Sequence, residues 1–190
     1  MDNILFRNDD VSCNTDLMDL ADIYATIRDI FPKAVIVSAV SLFCKENTKG
    51  SVYENVPFKN NPVKWFYNTD RIITELGKIP KSVIASHGLY HVDHSKLSFD
   101  AQEMSILGSC KYLNTNIFVP PFNKTNDDTV NICLDNGIEI YHKSQGWKNI
   151  EYENFDATHK YWYFHSWRWT KNSLRLALYK SKNESTIFNS

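Results

Sequence analysis

This sequence lacks a clear excess of positive or of negative charge. Its 21 lysine and arginine residues are matched by 22 aspartate and glutamate residues, which gives a formal net charge of −1 at pH 7. Proteins held on nucleic acid or on an anionic membrane mainly by electrostatics carry a clear positive excess. We therefore expect no nucleic-acid partner and no binding to a charged lipid surface.

Long apolar runs are missing as well. The longest one, at 34–43, is interrupted by serine. It is far shorter than the roughly 20 apolar residues that cross a bilayer. The first residues show no basic stretch, apolar core or cleavage site of the kind found in secretion signals. These absences predict a cytoplasmic protein without a membrane span.

The sequence has only four cysteines, and no two of them form a Cys-x-x-Cys pair. Without such a pair the sequence indicates neither a zinc ribbon nor a thioredoxin-type redox site. We expect all of the thiols to be reduced. They belong to Cys13, Cys44, Cys110 and Cys133.

The residues that are present fit one folded domain. With 190 residues, 43% of them hydrophobic, the chain is long enough to bury a real core. We expect a single domain over 1–190, in which 180–190 is a frayed tail. The charge balance and the pattern leave the oligomeric state open.

Short apolar runs alternate along the chain with helical spacings of apolar residues. The runs predict strands at 4–6, 34–37, 83–85, 117–119, 138–141 and 161–164. The helical spacings predict helices at 17–31, 69–76, 99–112, 127–134 and 174–179, with Asn14 or Thr15 as the cap of the first and a polar loop at 44–64. This alternation predicts a mainly parallel sheet with helices packed against it, either open or closed into a barrel.

Polar side chains follow four of the predicted strands. In a parallel sheet the carboxyl ends of the strands meet at one edge, where the chemistry of such folds takes place. We therefore expect these side chains to lie close together. The segments are 7–10, 86–94, 120–123 and 165–167.

A metal site is the chemistry that these residues favour. His87 and His91 are four positions apart, so a helical turn would place both imidazoles on one face. Imidazole binds Zn²⁺ and neighbouring divalent metals well. Asp9 and Asp10 are adjacent in an extended segment and point to opposite sides, so that one can bind the metal while the other faces water. A solvated histidine-rich loop and a solvated aspartate pair are the alternatives.

At these positions the chain resembles the polysaccharide deacetylases of the NodB-homology type, carbohydrate esterase family 4. The resemblance covers most of the chain and rests on four short segments that occur in the order of the family's motifs. It implies a distorted or incomplete (β/α) barrel with mainly parallel strands and outer helices. The segments are Asn8–Asp10, His87–His91, Val119–Phe122 and His165.

The resemblance also implies roles for individual residues. Asp9 would be the catalytic base and His165 the general acid. A divalent metal would be bound by Asp10, His87 and His91. The expected metal is Zn²⁺, with Co²⁺, Ni²⁺, Mn²⁺ or Fe²⁺ as alternatives.

The implied reaction is hydrolysis of an N-acetyl or other short acyl group from an amino sugar or glycoconjugate. The metal would activate water, Asp9 would take its proton, and His165 would donate one to the departing amine. Pro121 and Phe122 would form a wall of the substrate groove. Aromatic rings stack on sugars, and the remaining substrate-binding candidates are Trp147 and Trp167.

The chain departs from the family pattern at two linked positions. Val119 stands where the third motif has an arginine, and 144–147 offers no counterpart of the aspartate in the fourth motif. In the family this pair orients the base. Arg7 and Arg168 are the candidates that could hold Asp9 instead.

Two other functions remain open on the sequence. A deformylase or esterase that acts on a lipid-linked or nucleotide sugar would use every residue named above. A catalytically inactive, carbohydrate-binding descendant of the family is the second alternative, and the missing arginine and aspartate favour it.

Overall fold

The computed structural model describes residues 4–43 and 62–187. Its strands are β1 (Leu5–Val11), β2 (Val35–Val40), β3 (Ser82–Ser86), β4 (Ile117–Phe118), β5 (Glu139–Ile140), β6 (Lys148–Asn149) and β7 (Tyr161–Phe164). Its α-helices are α1 (Leu17–Ile30), α2 (Pro62–Lys78), α3 (Phe99–Leu113), α4 (Asp127–Asp135) and α5 (Lys171–Ile187).

These strands form one parallel sheet in the order β5-β4-β3-β2-β1-β7-β6. β1 lies between β2 and β7, whereas β5 and β6 form the two edges. The sheet curls into a half-barrel with helices packed against it, which confirms the predicted distorted (β/α) barrel. Because the strands are parallel, their carboxyl ends meet at one edge.

The main core packs helix α1 against the centre of the sheet. Phe6 of β1 and Trp162 of β7 are fully buried, and they share a cluster with Tyr24 and Ile27 of α1. Burying each large apolar side chain contributes about 1.5–3 kcal/mol. This packing holds β1 in place and thereby positions the polar residues at its carboxyl end.

Most predicted elements are present, with shifted ends. β1 extends to Val11 because polar residues continue the strand, and α2 begins at Pro62 rather than at 69. β6 has no counterpart in the sequence-based prediction, because its two polar residues carry no apolar signal. α5 runs to Ile187, into the segment predicted as a frayed tail. The part of the predicted loop at 44–61 lies outside the described residues.

Two expectations from composition can be compared with the structure. Every helix in the described ranges is too short or too polar to cross a bilayer.

Cys13 is part of a disulfide, so the expectation of fully reduced thiols is wrong at this position. Cys110 and Cys133 are free and buried.

Helix α1 is capped by a residue other than the expected Asn14 or Thr15. The Asp16 side chain accepts hydrogen bonds from the backbone N–H groups of Met18, at 2.8 Å, and Asp19, at 3.2 Å. Thr15 instead accepts a hydrogen bond from the N–H of Ser12 at 2.9 Å, within the turn that precedes the helix. The prediction was wrong because the Thr15 hydroxyl is already bonded within this turn, and the spacing of apolar residues does not reveal the turn.

We expect Asp16→Ala to lower the free energy of unfolding by about 0.5–2 kcal/mol, because two N–H groups of α1 lose their acceptor. Asn14→Ala is the matched control, since the Asn14 side chain accepts from neither of those groups. Urea denaturation followed by circular dichroism measures both. An equal loss in the two variants would contradict the assignment of the cap.

Candidate metal and active site

A bulge in β1 places the two adjacent aspartates. The pairing register between β1 and β2 shifts between Asn8 and Val11, and Asp10 has a φ of 64°. A non-glycine residue in this left-handed region is strained, and such strain is concentrated at functional sites. The bulge interrupts simple alternation, so the Asp10 carboxylate turns toward the end of β3.

Asp10, His87 and His91 come together at this edge of the sheet. One side-chain ligand atom from each lies within 4.8 Å of the other two. Asp10 Oδ1 is 2.8 Å from His91 Nε2 and 3.3 Å from His87 Nε2. All three residues are at most 9% exposed. Residues that are far apart in sequence thus form a compact group with one oxygen and two nitrogen donors.

The segment that carries both histidines is a loop rather than a helical turn. Gly88 has a φ of +86°, and a Cβ there would lie 2.8 Å from the ring of His94. His94 is fully buried beneath this turn, and Tyr90 forms an isolated parallel bridge with Phe43. Glycine and these two contacts shape the loop, which brings the centres of the two imidazole rings to 4.9 Å from each other without a helical turn.

The donor atoms fit a divalent cation. His87 Nδ1 lies 2.7 Å from the carbonyl oxygen of Val119, and because that oxygen can only accept, Nδ1 carries the hydrogen. His87 Nε2 then keeps a lone pair, and this buried atom has no hydrogen-bond partner among the described residues. Buried polar atoms are rarely left without a partner. A cation such as Zn²⁺ would satisfy the lone pair, and the Val119 carbonyl would orient the ring.

The ionisation states of Asp10 and His91 also suit metal binding. Burial alone would raise the pKa of Asp10, but His87 and His91 outweigh this effect and lower the pKa well below its usual range. Burial lowers the pKa of His91. An ionised carboxylate and a neutral imidazole are the forms that bind metal ions.

Asp9 is held by an arginine on its own strand. Arg7 Nε donates to Asp9 Oδ1 at 2.7 Å, and Arg7 Nη2 donates to Asp9 Oδ2 at 2.8 Å. Arg7 is fully buried. Arg168, the other candidate, instead lies 3.5 Å from Glu151 and donates to the hydroxyl of Tyr152. Of the two arginines considered, Arg7 is therefore the one that binds Asp9.

The Arg7 guanidinium lies between two aromatic rings. Its carbon is 4.9 Å from the centre of the Trp147 ring and 4.8 Å from that of Tyr163. Its Nη1 donates to the backbone oxygen of Tyr141 at 2.7 Å. Trp147 is only 3% exposed, so it lies beneath the site rather than on the surface. Its predicted stacking on a sugar stays a prediction, and this burial disfavours it.

His165 is paired with a carboxylate that the sequence did not single out. Glu151 Oε1 accepts hydrogen bonds from the backbone N–H of His165 at 2.8 Å and from its Nδ1 at 2.7 Å. His165 Nε2 lies 3.7 Å from Asp10 Oδ2. Burial lowers the pKa of His165, but Glu151, Asp10 and Asp9 outweigh it and raise the pKa above its usual value. Glu151 follows a two-residue strand and belongs to no motif, so local sequence offers no signal for it.

Two exposed aromatic rings flank the group. Phe122 is 56% exposed and its ring centre lies 4.5 Å from that of His91. Trp167 is 42% exposed and lies 5.8 Å from the His165 ring. Pro121 belongs to the same turn as Phe122 and is buried. The structure thus leaves two of the predicted substrate-binding side chains open to solvent beside the histidines.

Comparison with known proteins shows similarity only at the level of structure. No protein-family model and no curated protein sequence matches the chain. BA3943 from Bacillus anthracis, described as a CE4 family pseudoenzyme, aligns with a TM-score of 0.63 and 12% identity over 96% of this chain and 61% of its own. A family 4 carbohydrate esterase from Streptomyces lividans aligns with a TM-score of 0.61 and 8% identity over 96% of this chain and 88% of its own.

A third structure, peptidoglycan deacetylase PdaC from Bacillus subtilis, aligns with a TM-score of 0.55 and 10% identity over 96% of this chain and 83% of its own. Identities this low show the fold alone. The chain therefore has the fold of the family 4 carbohydrate esterases, which confirms the predicted resemblance at that level. It spans 61% of the length of the BA3943 chain.

We expect Asp10→Asn, His87→Ala and His91→Ala each to weaken Zn²⁺ binding by at least about 100-fold, because even residues that only orient a metal ligand are worth about 10–100-fold in affinity. Isothermal titration of the metal-free protein measures this. His159→Ala is the control, since His159 hydrogen-bonds to Gly146 away from this group. Unchanged Zn²⁺ affinity in the Asp10, His87 and His91 variants would exclude the site.

A second prediction concerns His165. We expect Glu151→Gln to lower the pKa of His165, because the ionised carboxylate stabilises the protonated imidazole and its removal makes the proton easier to lose. NMR titration of ¹³C-labelled imidazoles in the metal-free protein measures the change. Glu153→Gln is the control, because Glu153 is exposed and bonds to the backbone of Asn149. A His165 pKa that is the same in Glu151→Gln and wild type would contradict the pairing.

Proposed function

We propose that this chain is a metal-dependent hydrolase that removes an N-acetyl or other short acyl group from an amino sugar or glycoconjugate. The observation that carries the proposal is the arrangement at the edge of the sheet. Asp10, His87 and His91 form one group, and Asp9, which is bound to Arg7, directly precedes Asp10 in the sequence. His165 Nε2 lies 3.7 Å from Asp10 Oδ2. A base, three metal-binding side chains and an acid are the parts that amide hydrolysis requires.

Asp10, His87 and His91 would hold the metal, which in our proposal is Zn²⁺. A divalent cation bound there makes water easier to deprotonate and polarises the carbonyl group of the substrate. With three ligands from the protein, further coordination positions stay open, as in catalytic rather than structural zinc sites.

Asp9 and His165 would move the protons. Asp9 accepts a proton from the attacking water, and its two bonds to Arg7 keep the carboxylate in one orientation. His165 turns Nδ1 toward Glu151, so Nε2 is the atom that donates a proton to the leaving amine. A C–O bond forms as the C–N bond breaks, and the products are a short carboxylic acid and a free amine.

Phe122 and Trp167 would bind the sugar. Both rings are exposed beside the histidines, and the apolar face of a pyranose packs well on an aromatic ring. Pro121, which is buried in the same turn, would support Phe122. The cytoplasmic location and the single-domain organisation stay predictions.

An inactive, carbohydrate-binding role is the second candidate, because one similar structure is described as a CE4 family pseudoenzyme and one of its mutants as having restored enzymatic activity. In this chain Val119 replaces the arginine of the third motif, which favours the same role. The Arg7–Asp9 pair argues against it, since the base keeps an arginine partner. A deformylase or an esterase would share every side chain in the site and differs only in substrate.

We expect the Zn²⁺-loaded protein to release acid from acylated amino sugars, and Asp9→Asn to lower kcat by about 100-fold or more while it keeps its metal. A panel of N-acetyl, N-formyl and O-acetyl sugars, assayed by acid release, separates the deacetylase from the deformylase and esterase. Metal content is measured by mass spectrometry. The control is Asp22→Asn, because Asp22 is exposed on α1.

The binding role makes the opposite prediction. If the Zn²⁺-loaded wild-type protein released acid from no member of the panel but bound the sugars in calorimetry, the hydrolase proposal would be wrong. Full activity of Asp9→Asn would instead remove Asp9 from the role of base.

A further inference from the structure

One nitrogen atom of Arg7 contacts two parts of the site. Nη2 donates to Asp9 Oδ2 at 2.8 Å and to Asn123 Oδ1, also at 2.8 Å. Asn123 belongs to the turn that follows β4, whereas Arg7 and Asp9 belong to β1. The guanidinium therefore joins the strand of the base to the turn beside the metal-binding histidines.

This turn has an unusual backbone. Phe122 has a φ of 57° and Asn123 a φ of 52°, so two consecutive residues other than glycine occupy the left-handed region. Such a conformation persists only where surrounding contacts hold it. Two contacts of Asn123 do so: its side chain accepts from Arg7, and its backbone oxygen accepts from His142 Nε2 at 2.7 Å.

The same turn carries the exposed ring that faces the histidines. Phe122 directly precedes Asn123, and its ring centre is 4.5 Å from that of His91. The direction of this ring depends on the backbone at 122–123, and that backbone depends on the contacts of Asn123. Of these two contacts, the bond between the Asn123 amide and the Arg7 guanidinium is the one that ties Phe122 to the strand of Asp9.

Arg7 does not itself depend on Asn123. Its other contacts are both oxygens of Asp9, the carbonyl of Tyr141 and the rings of Trp147 and Tyr163. Loss of the Asn123 amide would therefore detach the turn from Arg7 and leave the base in place, while the backbone bond from His142 to Asn123 remains. The Arg7–Asn123 contact therefore fixes the turn at 121–123 relative to Asp9, but Asp9 does not need this contact to keep its own position.

We propose that Asn123 is a positioning residue that sets the distance between a sugar on Phe122 and the Asp9 carboxylate. The inference rests on the proposed hydrolase function. A substrate with a sugar ring against Phe122 presents its acyl group correctly only when the turn is held to Arg7. A small acyl ester without a ring reaches the same base without using Phe122. Asn123 thus selects for substrates that fill the groove.

The test compares Asn123→Gly with Asn123→Asp in the Zn²⁺-loaded protein. Glycine adopts a φ of this sign freely, so the first variant loses the amide without new backbone strain. Aspartate keeps an acceptor for Arg7 Nη2 and is the conservative control. Each variant is assayed with an N-acetyl amino sugar oligomer and with trifluoroethyl acetate, an activated ester that has no ring.

We expect Asn123→Gly to lower the ratio of kcat/KM for the sugar to that for the ester by about tenfold, because misplacing a reacting group by a fraction of an ångström is costly. Asn123→Asp should keep most of the wild-type ratio, and metal content should be equal in all three proteins. Hydrogen exchange should be faster at 121–124 in Asn123→Gly, and close to wild type in Asn123→Asp.

Two results would overturn the inference. An equal fall for the sugar and the ester in Asn123→Gly would mean that Asn123 supports the base or the fold in general. An unchanged ratio together with unchanged exchange at 121–124 would mean that the contact positions nothing. Failure of the proposed function is distinguished from both, since it shows in the wild-type protein, which would then hydrolyse neither substrate.

Discussion

The buried ion pair of Arg7 and Asp9 is the interaction on which the rest of the site depends. Taking both charges out of water is expensive, and removing one partner of such a pair typically costs about 3–5 kcal/mol. The chain offsets this expense with two parallel N–H···O bonds, two further acceptors and two aromatic rings around the guanidinium. The Arg7 guanidinium, held by so many contacts, has one orientation. Its two hydrogen bonds to Asp9 fix the orientation of that carboxylate as well.

The bulge next to this pair has an equally direct consequence. Without it Asp9 and Asp10 would point to opposite faces of the sheet, as alternation along a strand requires. The left-handed backbone at Asp10 turns the second carboxylate toward His87 and His91, while Asp9 stays with Arg7. Two neighbouring residues of the same type thereby receive different partners, and we assign them different roles for that reason.

The sequence predicted the location of the site better than its supporting contacts. The rule that parallel strands meet at their carboxyl ends placed Asp10, His87 and His91 together, because it depends only on element order. Glu151 could not be found in this way, since it lies in a loop next to a two-residue strand and touches His165 only after folding. The spacing of His87 and His91 is compatible with one face of a helical turn, but spacing alone cannot show that Gly88 takes a positive φ and that the segment is a loop. The burial of Trp147 against Arg7 could not be predicted, because composition does not reveal which aromatic ring covers an arginine.

The two edge strands of the half-barrel have a further consequence. A barrel that does not close leaves edges whose free N–H and C=O groups invite pairing with another molecule. Here β5 and β6 are each only two residues long, so little backbone is available for such pairing. Short edges are one of the ways in which natural sheets avoid aggregation. By this means an open sheet can keep the edge that carries Asp10, His87 and His91 accessible without polymerising along its sides.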